Sequence, residues 1–180
     1  ADATGLTRRA PPPAPAAVYP RGAMARTPRL TSPPAPSLRL GARVRVIYAD
    51  TDQMGVVYHG TYARFLETAR VEFMRDAGQT YADVEAAGFA LPLTDLQISY
   101  LSPARYDDIL SIHVGVAEIG FARLRLGYHV LVEPEGRRGL ADRLTIAFAE
   151  TCHCCVARGD GKPTRFPGPL RAALANLSQE

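Results

Sequence analysis

Thirteen residues, Asp50 to Tyr62, hold two carboxylates, an imidazole and two tyrosines around a glycine: Asp50, Asp52, Gly55, Tyr58, His59 and Tyr62. Carboxylates and imidazoles are the groups that move protons or attack carbonyls. Asp50 and Asp52 lie two apart in a loop. One is free to face a cleft while the other serves the loop, as acidic side chains in turns commonly do. Gly55 permits a tight turn, and a helix starts a few residues later. A helix N-terminus offers unpaired N–H groups and a partial positive charge. Aimed at a carbonyl, such groups stabilise an oxyanion. With a carboxylate opposite, the constellation suits acyl transfer.

The elements that must position these groups can be read from periodicity. Val44, Val46 and Tyr48 alternate with Arg43, Arg45 and Ile47, which predicts a first strand feeding the loop 49–60. From Thr61 the period becomes 3.6, with Tyr62, Leu66, Ala69, Phe73 and Ala77 on one stripe, flanked by Phe65, and Gly78 at the C′ position. A short helix capped by Thr80 is expected to end at Gly88. Alternation then predicts strands around Leu96–Tyr100, Leu110–Val116 and Leu124–Val132, and from Leu144 through Ile146 and Phe148 to about Val156. Half-buried alternation in successive neighbours means an antiparallel sheet with one covered face. The fold class is therefore α+β: a curled sheet around one long helix, with a short terminal helix over 168–177.

The chain has 180 residues, 47% hydrophobic and 22% charged, enough for one domain with a tail. Residues 1–40 hold nine of the fifteen prolines and six arginines against Asp2 alone, so the net charge of +3 belongs to this segment. It reads as a disordered Pro/Ala/Arg-rich extension, with Met24 an alternative start, ahead of a domain over 41–167 and a tail over 168–180. The domain itself is slightly acidic, which removes the case for nucleic-acid binding. No apolar run is long enough for a membrane-spanning helix. Cys152, Cys154 and Cys155 crowd one segment, odd in number, which fits a reducing, cytoplasmic compartment rather than a disulfide framework. Strand alternation splits Cys152 and Cys154 from His153 and Cys155, so the cluster reads as small buried thiols and not as a metal site.

The run Asp50-x-Asp52-x-x-Gly55-x-Val57-Tyr58-His59-x-x-Tyr62, followed by Phe65, Glu67 and Arg70, resembles the hot-dog-fold thioesterases. It is most similar to the 4-hydroxybenzoyl-CoA thioesterase type and the acyl-CoA thioesterase encoded with the Tol-Pal system. Tyr100-Leu101-Ser102-Pro103-Ala104-x-Tyr106-Asp107-Asp108 is similar to the family's entry into its central strands. The resemblance spans about residues 40–165. It implies a helix wrapped by an antiparallel sheet and a homodimer or homotetramer with active sites at the dimer interface. Asp52 is implied as nucleophile or general base, and His59 as the residue whose backbone N–H polarises the thioester carbonyl. Gly55, Val57, Tyr58, Gly60 and Tyr62 are implied as substrate-binding, with Tyr58 and Tyr62 as cleft wall.

The substrate implied is an acyl-CoA or an acyl group on a carrier protein, with coenzyme A entering only as part of it and no cofactor or metal. A non-catalytic hot-dog protein binding the same ligands is the alternative, and a hot-dog dehydratase would place its histidine and acid differently. Arg70 reads as an ion-pair partner for a neighbouring strand or subunit, Glu67 as a solvated helical acid, and Arg105 and Arg123 as surface arginines. His113 and His129 fall on the polar faces of their strands.

Overall fold

The computed structural model describes residues 28–177. Five strands form one antiparallel sheet: β1 (Arg39–Arg45), β3 (Leu93–Tyr100), β4 (Ile109–Ile119), β5 (Arg123–Val132) and β6 (Leu144–Cys154), in the order β1-β4-β5-β6-β3. Two short strands, β2 (Phe89–Ala90) and β7 (Val156–Ala157), pair separately. The long helix α1 (Thr61–Asp76) lies on the inner face. α2 (Tyr81–Ala86) and α3 (Gly168–Leu177) complete the molecule. This is the hot-dog arrangement: a curled sheet around one helix.

The core follows from the two periodicities meeting. Tyr62, Phe65, Leu66, Ala69, Phe73 and Met74 of α1 are buried against Leu110, Ile112 and Val114 of β4 and Leu124, Leu126, Tyr128 and Val130 of β5. Each such side chain contributes roughly 1.5–3 kcal/mol by leaving water. Gly78, with φ of 77°, ends the helix as its position predicts. Thr80 caps α2 by accepting from Asp83 N at 3.1 Å.

Three local departures from the periodic reading matter for the site. The first strand spans Arg39–Arg45 instead of reaching Tyr48, because Tyr48–Asp50 coils into a 3₁₀ turn. Asp50 makes that turn. Its backbone N–H donates to Ile47 O at 3.0 Å while its carboxylate accepts from Ile47 N at 3.0 Å. Tyr48 is thereby turned out to solvent, 72% exposed, and stacks on Tyr106 at 3.8 Å.

The second departure is in β6. Val130 pairs with Ala147 and Leu131 with Thr145, so two steps on β6 face one on β5: a bulge at Ile146. Beyond it the faces exchange. Phe148, which simple alternation groups with Leu144 and Ile146, points outward and lies 4.9 Å from the His129 ring. Ala147, Ala149, Thr151 and His153 take the inner face.

The third concerns residues 28–40, expected to be disordered. Leu30 N donates to the Ser99 hydroxyl at 2.8 Å, and the Gln97 amide donates to Pro28 O at 2.7 Å. From β3 this strap crosses the outer face to β1. A Cβ on Gly127 would meet Ala35 N at 2.7 Å, and one on Gly115 would meet Ser37 O at 1.8 Å. Only glycine admits a backbone so close. The remainder of the extension, 1–27, lies outside the described residues.

Candidate functional site

The loop from Val46 to Gly60 is pinned on both sides. Val46 N donates to Asp108 O at 2.8 Å and Asp107 N to Val46 O at 3.0 Å; Val57 N donates to Ala104 O at 2.9 Å. The 102–108 segment is anchored in turn by Arg137, whose guanidinium grips buried Asp108 through Nε to Oδ1 at 2.8 Å and Nη2 to Oδ2 at 2.5 Å. Asp108 also accepts from Arg105 N at 2.6 Å, and Arg137 donates to Pro103 O at 3.0 Å. A bidentate, partly desolvated pair of this kind is strong. The bond to Asp108 holds Arg137 charged, raising its pKa further.

The two loop acids divide the labour. Asp50 is 3% exposed and spends its oxygens on Ile47 N and the Arg64 guanidinium. Asp52 is half-buried. It begins a tight turn in which Gly55 N donates to its carbonyl at 2.9 Å and Met54 N to its Oδ1 at 2.8 Å. Among the described residues nothing donates to Asp52 Oδ2.

Asp52, Val57, His59 and Tyr62 come together around one cleft of about 300 Å³, with Val56, Tyr100 and Ser102–Pro103 closing it. Tyr100 donates its hydroxyl to His59 O at 2.8 Å, and its ring meets Tyr62 edge-on at 5.2 Å. Burial pushes the Tyr62 phenol up to about 12, so it stays a neutral wall at any ordinary pH. The His59 carbonyl is thus fixed, while its backbone N–H and that of Gly60 donate to no described group. Both precede α1, where the helix dipole is positive.

The other sequence-derived residues lie apart from this cleft. Gly55, with φ of 73°, forms the exposed turn. Tyr58 is exposed, its ring 4.2 Å from that of His59 and close over Gly60. Gly60 lines a second cavity of about 530 Å³, together with Arg70, Tyr128, Thr151 and His153. Arg70 is not paired with another strand. It is 8% exposed, stacked on the Tyr81 ring at 5.2 Å. Arg70 and His153 were legible as residues but not as neighbours, because the Ile146 bulge is what turns His153 inward. Arg137, the anchor of the cleft wall, carried no motif signal.

Comparison with known proteins agrees with the fold. The model of the thioesterase-like superfamily matches residues 46–174. The acyl-CoA thioester hydrolase YbgC of Escherichia coli O6:H1 is 38% identical over 129 residues, 72% of this chain and 90% of its own. The acyl-CoA thioesterase YbgC of Haemophilus influenzae is 35% identical over 135 residues, 74% of this chain and 93% of its own. Among solved structures, the hypothetical protein TT1821 from Thermus thermophilus superposes with a TM-score of 0.68 at 34% identity, covering 77% of this chain and 99% of that one. With its fold, its loop motif and these relatives in agreement, the chain belongs to the thioesterase-like superfamily of hot-dog proteins.

Proposed function

We propose that this member of the superfamily hydrolyses acyl-CoA thioesters, with Asp52 as the reacting carboxylate and the backbone at His59–Gly60 as the oxyanion site. One observation carries the reading: Asp52, with one carboxylate oxygen unengaged, lines the same cleft as His59, whose N–H and that of the adjoining Gly60 donate to no described group at the start of a helix. The names of the E. coli and H. influenzae relatives support the same reaction.

In the proposed step the thioester carbonyl oxygen accepts from these N–H groups, which stabilise the charge as the carbonyl carbon becomes tetrahedral. Asp52 either attacks that carbon, forming an anhydride that water then opens, or takes a proton from the water that attacks it. Either way the C–S bond breaks and CoA leaves as thiolate. A thiol's ordinary pKa is about 8.5, so this leaving group needs little protonation. The products are the carboxylic acid and free CoA. Asp50 holds the loop, and Tyr100 fixes the His59 peptide.

The sheet ends at β3, whose outer edge pairs with no described strand and exposes Leu93 and Tyr100. Such an edge invites pairing. We assign it to a second copy, which would bring two clefts to one interface. Free cysteines at 152, 154 and 155 suit a reducing compartment. The test is CoA release from short, medium, long and aromatic acyl-CoAs, followed with a thiol-reactive dye and repeated with acyl-carrier thioesters. Turnover on either panel is the expected result. Binding without turnover would replace this reading with that of an acyl-binding protein.

A further inference from the structure

The larger cavity contains a buried cation, Arg70, one of whose donors no described group satisfies. Arg70's side chain is 9% exposed, and its Nη1 has no hydrogen-bond partner. Glu67 Oε1 lies 3.6 Å from Nη2, beyond hydrogen-bond reach, on a side chain 67% exposed, so the pair is a weak surface contact. Tyr128, Thr151 and His153, also in the cavity wall, spend their polar atoms on one another and on Leu91 O. Thr151 Oγ1 meets the Tyr128 hydroxyl at 3.1 Å and His153 Nε2 at 3.0 Å, and His153 Nδ1 meets Leu91 O at 3.2 Å. Burial, aided by the Arg70 charge, holds His153 down at about 4, so it is neutral and competes for no anion. Arg64, the remaining cation on the wall, is taken by Asp50. A buried donor left over when these buried neighbours are paired points to an acceptor that arrives from outside.

The cavity opens beside Gly60, next to the N–H groups assigned above to the thioester oxygen. Glu67 also lines the cavity, on a side chain 67% exposed, and Ala63, Leu66, Leu91, Pro92, Leu93 and Leu96 supply an apolar wall. The helix rises about 15 Å from Gly60 to Arg70. A long helical side chain generally leans back toward the helix N-terminus, which would shorten the span to roughly 10 Å, about the length of six to eight carbons.

We propose that this cavity receives the acyl chain and that Arg70 reads a second carboxylate at its far end, so that the favoured substrates are dicarboxylic acyl-CoAs of about six to eight carbons. The proposal rests on the thioesterase reading. A guanidinium's planar fork matches a carboxylate, and the Tyr81 ring holds one of its faces.

The experiment compares kcat/KM for adipoyl-CoA and suberoyl-CoA with that for hexanoyl-CoA and octanoyl-CoA, in the wild type, Arg70→Met and Arg70→Lys. Melting temperature and oligomeric state are recorded for each. The wild type is expected to prefer the dicarboxylic partner of each pair by about ten- to a hundredfold, the worth of one charge-assisted contact. That ratio should collapse in Arg70→Met and recover in part in Arg70→Lys. Equal or better hydrolysis of the methyl-ended chains by the wild type would overturn the proposal while leaving the thioesterase reading intact. So would an Arg70→Met variant that loses both classes alike, or only dissociates. Hydrolysis of none of the four, nor of the wider panel, would instead sink the thioesterase reading. If Arg70→Met does not fold, the wild-type ratio decides alone.

Discussion

Removing the Asp50 carboxylate tests the division of labour between the loop acids. Asp50 is 3% exposed and accepts from Ile47 N at 3.0 Å and from Arg64. In Asp50→Ala the Ile47 N–H, part-buried in the turn, loses its acceptor, which costs about 1–3 kcal/mol. Arg64, 60% exposed, returns to water and adds at most about 1 kcal/mol. The total is about 1–4 kcal/mol, with its middle near 2–3 kcal/mol. For a domain of this size that lowers the melting temperature by roughly 5–10 °C. Asp50→Asn keeps an oxygen for Ile47 and should lose about half as much. Scanning calorimetry on both variants, beside hydrolysis at a temperature where each is folded, reads the two effects. Activity should fall with the Ala variant, because the turn carrying Asp52 begins directly after it. A melting temperature for Asp50→Ala within about 1 °C of wild type would refute the structural role given to this carboxylate.

Arg137→Ala strips buried Asp108 of its bidentate partner. With Arg137's side chain 20% exposed, a loss of about 2–3 kcal/mol is expected in urea unfolding, with a weaker cleft. His153 carries a pH signature. Its pKa is about 4 folded against 6.5 unfolded, so the unfolded chain takes the extra proton between them. Stability is full above pH 6.5 and is lost as pH falls toward 4, by up to about 3 kcal/mol. His153→Gln should flatten that slope in unfolding measured from pH 4 to 7. Gly115→Val should lift the strap from the outer face, since even a Cβ there would lie 1.8 Å from Ser37 O. Limited proteolysis near residues 30–38 would then run faster than in the wild type, with the sheet intact.

The long helix and the later strands were legible because each keeps its period over most of its length. The failures came where a single residue breaks the period. Ile146 adds one step to β6, and every side chain after it changes face, so the inward partnership of Thr151 and His153 with Arg70 was hidden. Asp50 bends the chain before Tyr48, ending the strand that Val44 and Val46 announce. The proline-rich composition of residues 28–40 argues for disorder, yet the fit of Ala35 and Ser37 over Gly127 and Gly115 is a long-range match that composition does not express. In the site, the loop offered two acids, Asp50 and Asp52, for one cleft. It did not say which, and burial decides that. Arg137 lies far along the chain from the loop it braces, so only the fold connects them.

The most direct test of the central claim is the turnover of Asp52→Asn on the best acyl-CoA found for the wild type. Asparagine keeps the Oδ1 that accepts from Met54 N at 2.8 Å, so the turn and the melting temperature should be preserved. The expected result is a kcat lower by about 10²–10⁴-fold in a folded protein. A folded Asp52→Asn variant within threefold of wild type would show that another group performs the reaction.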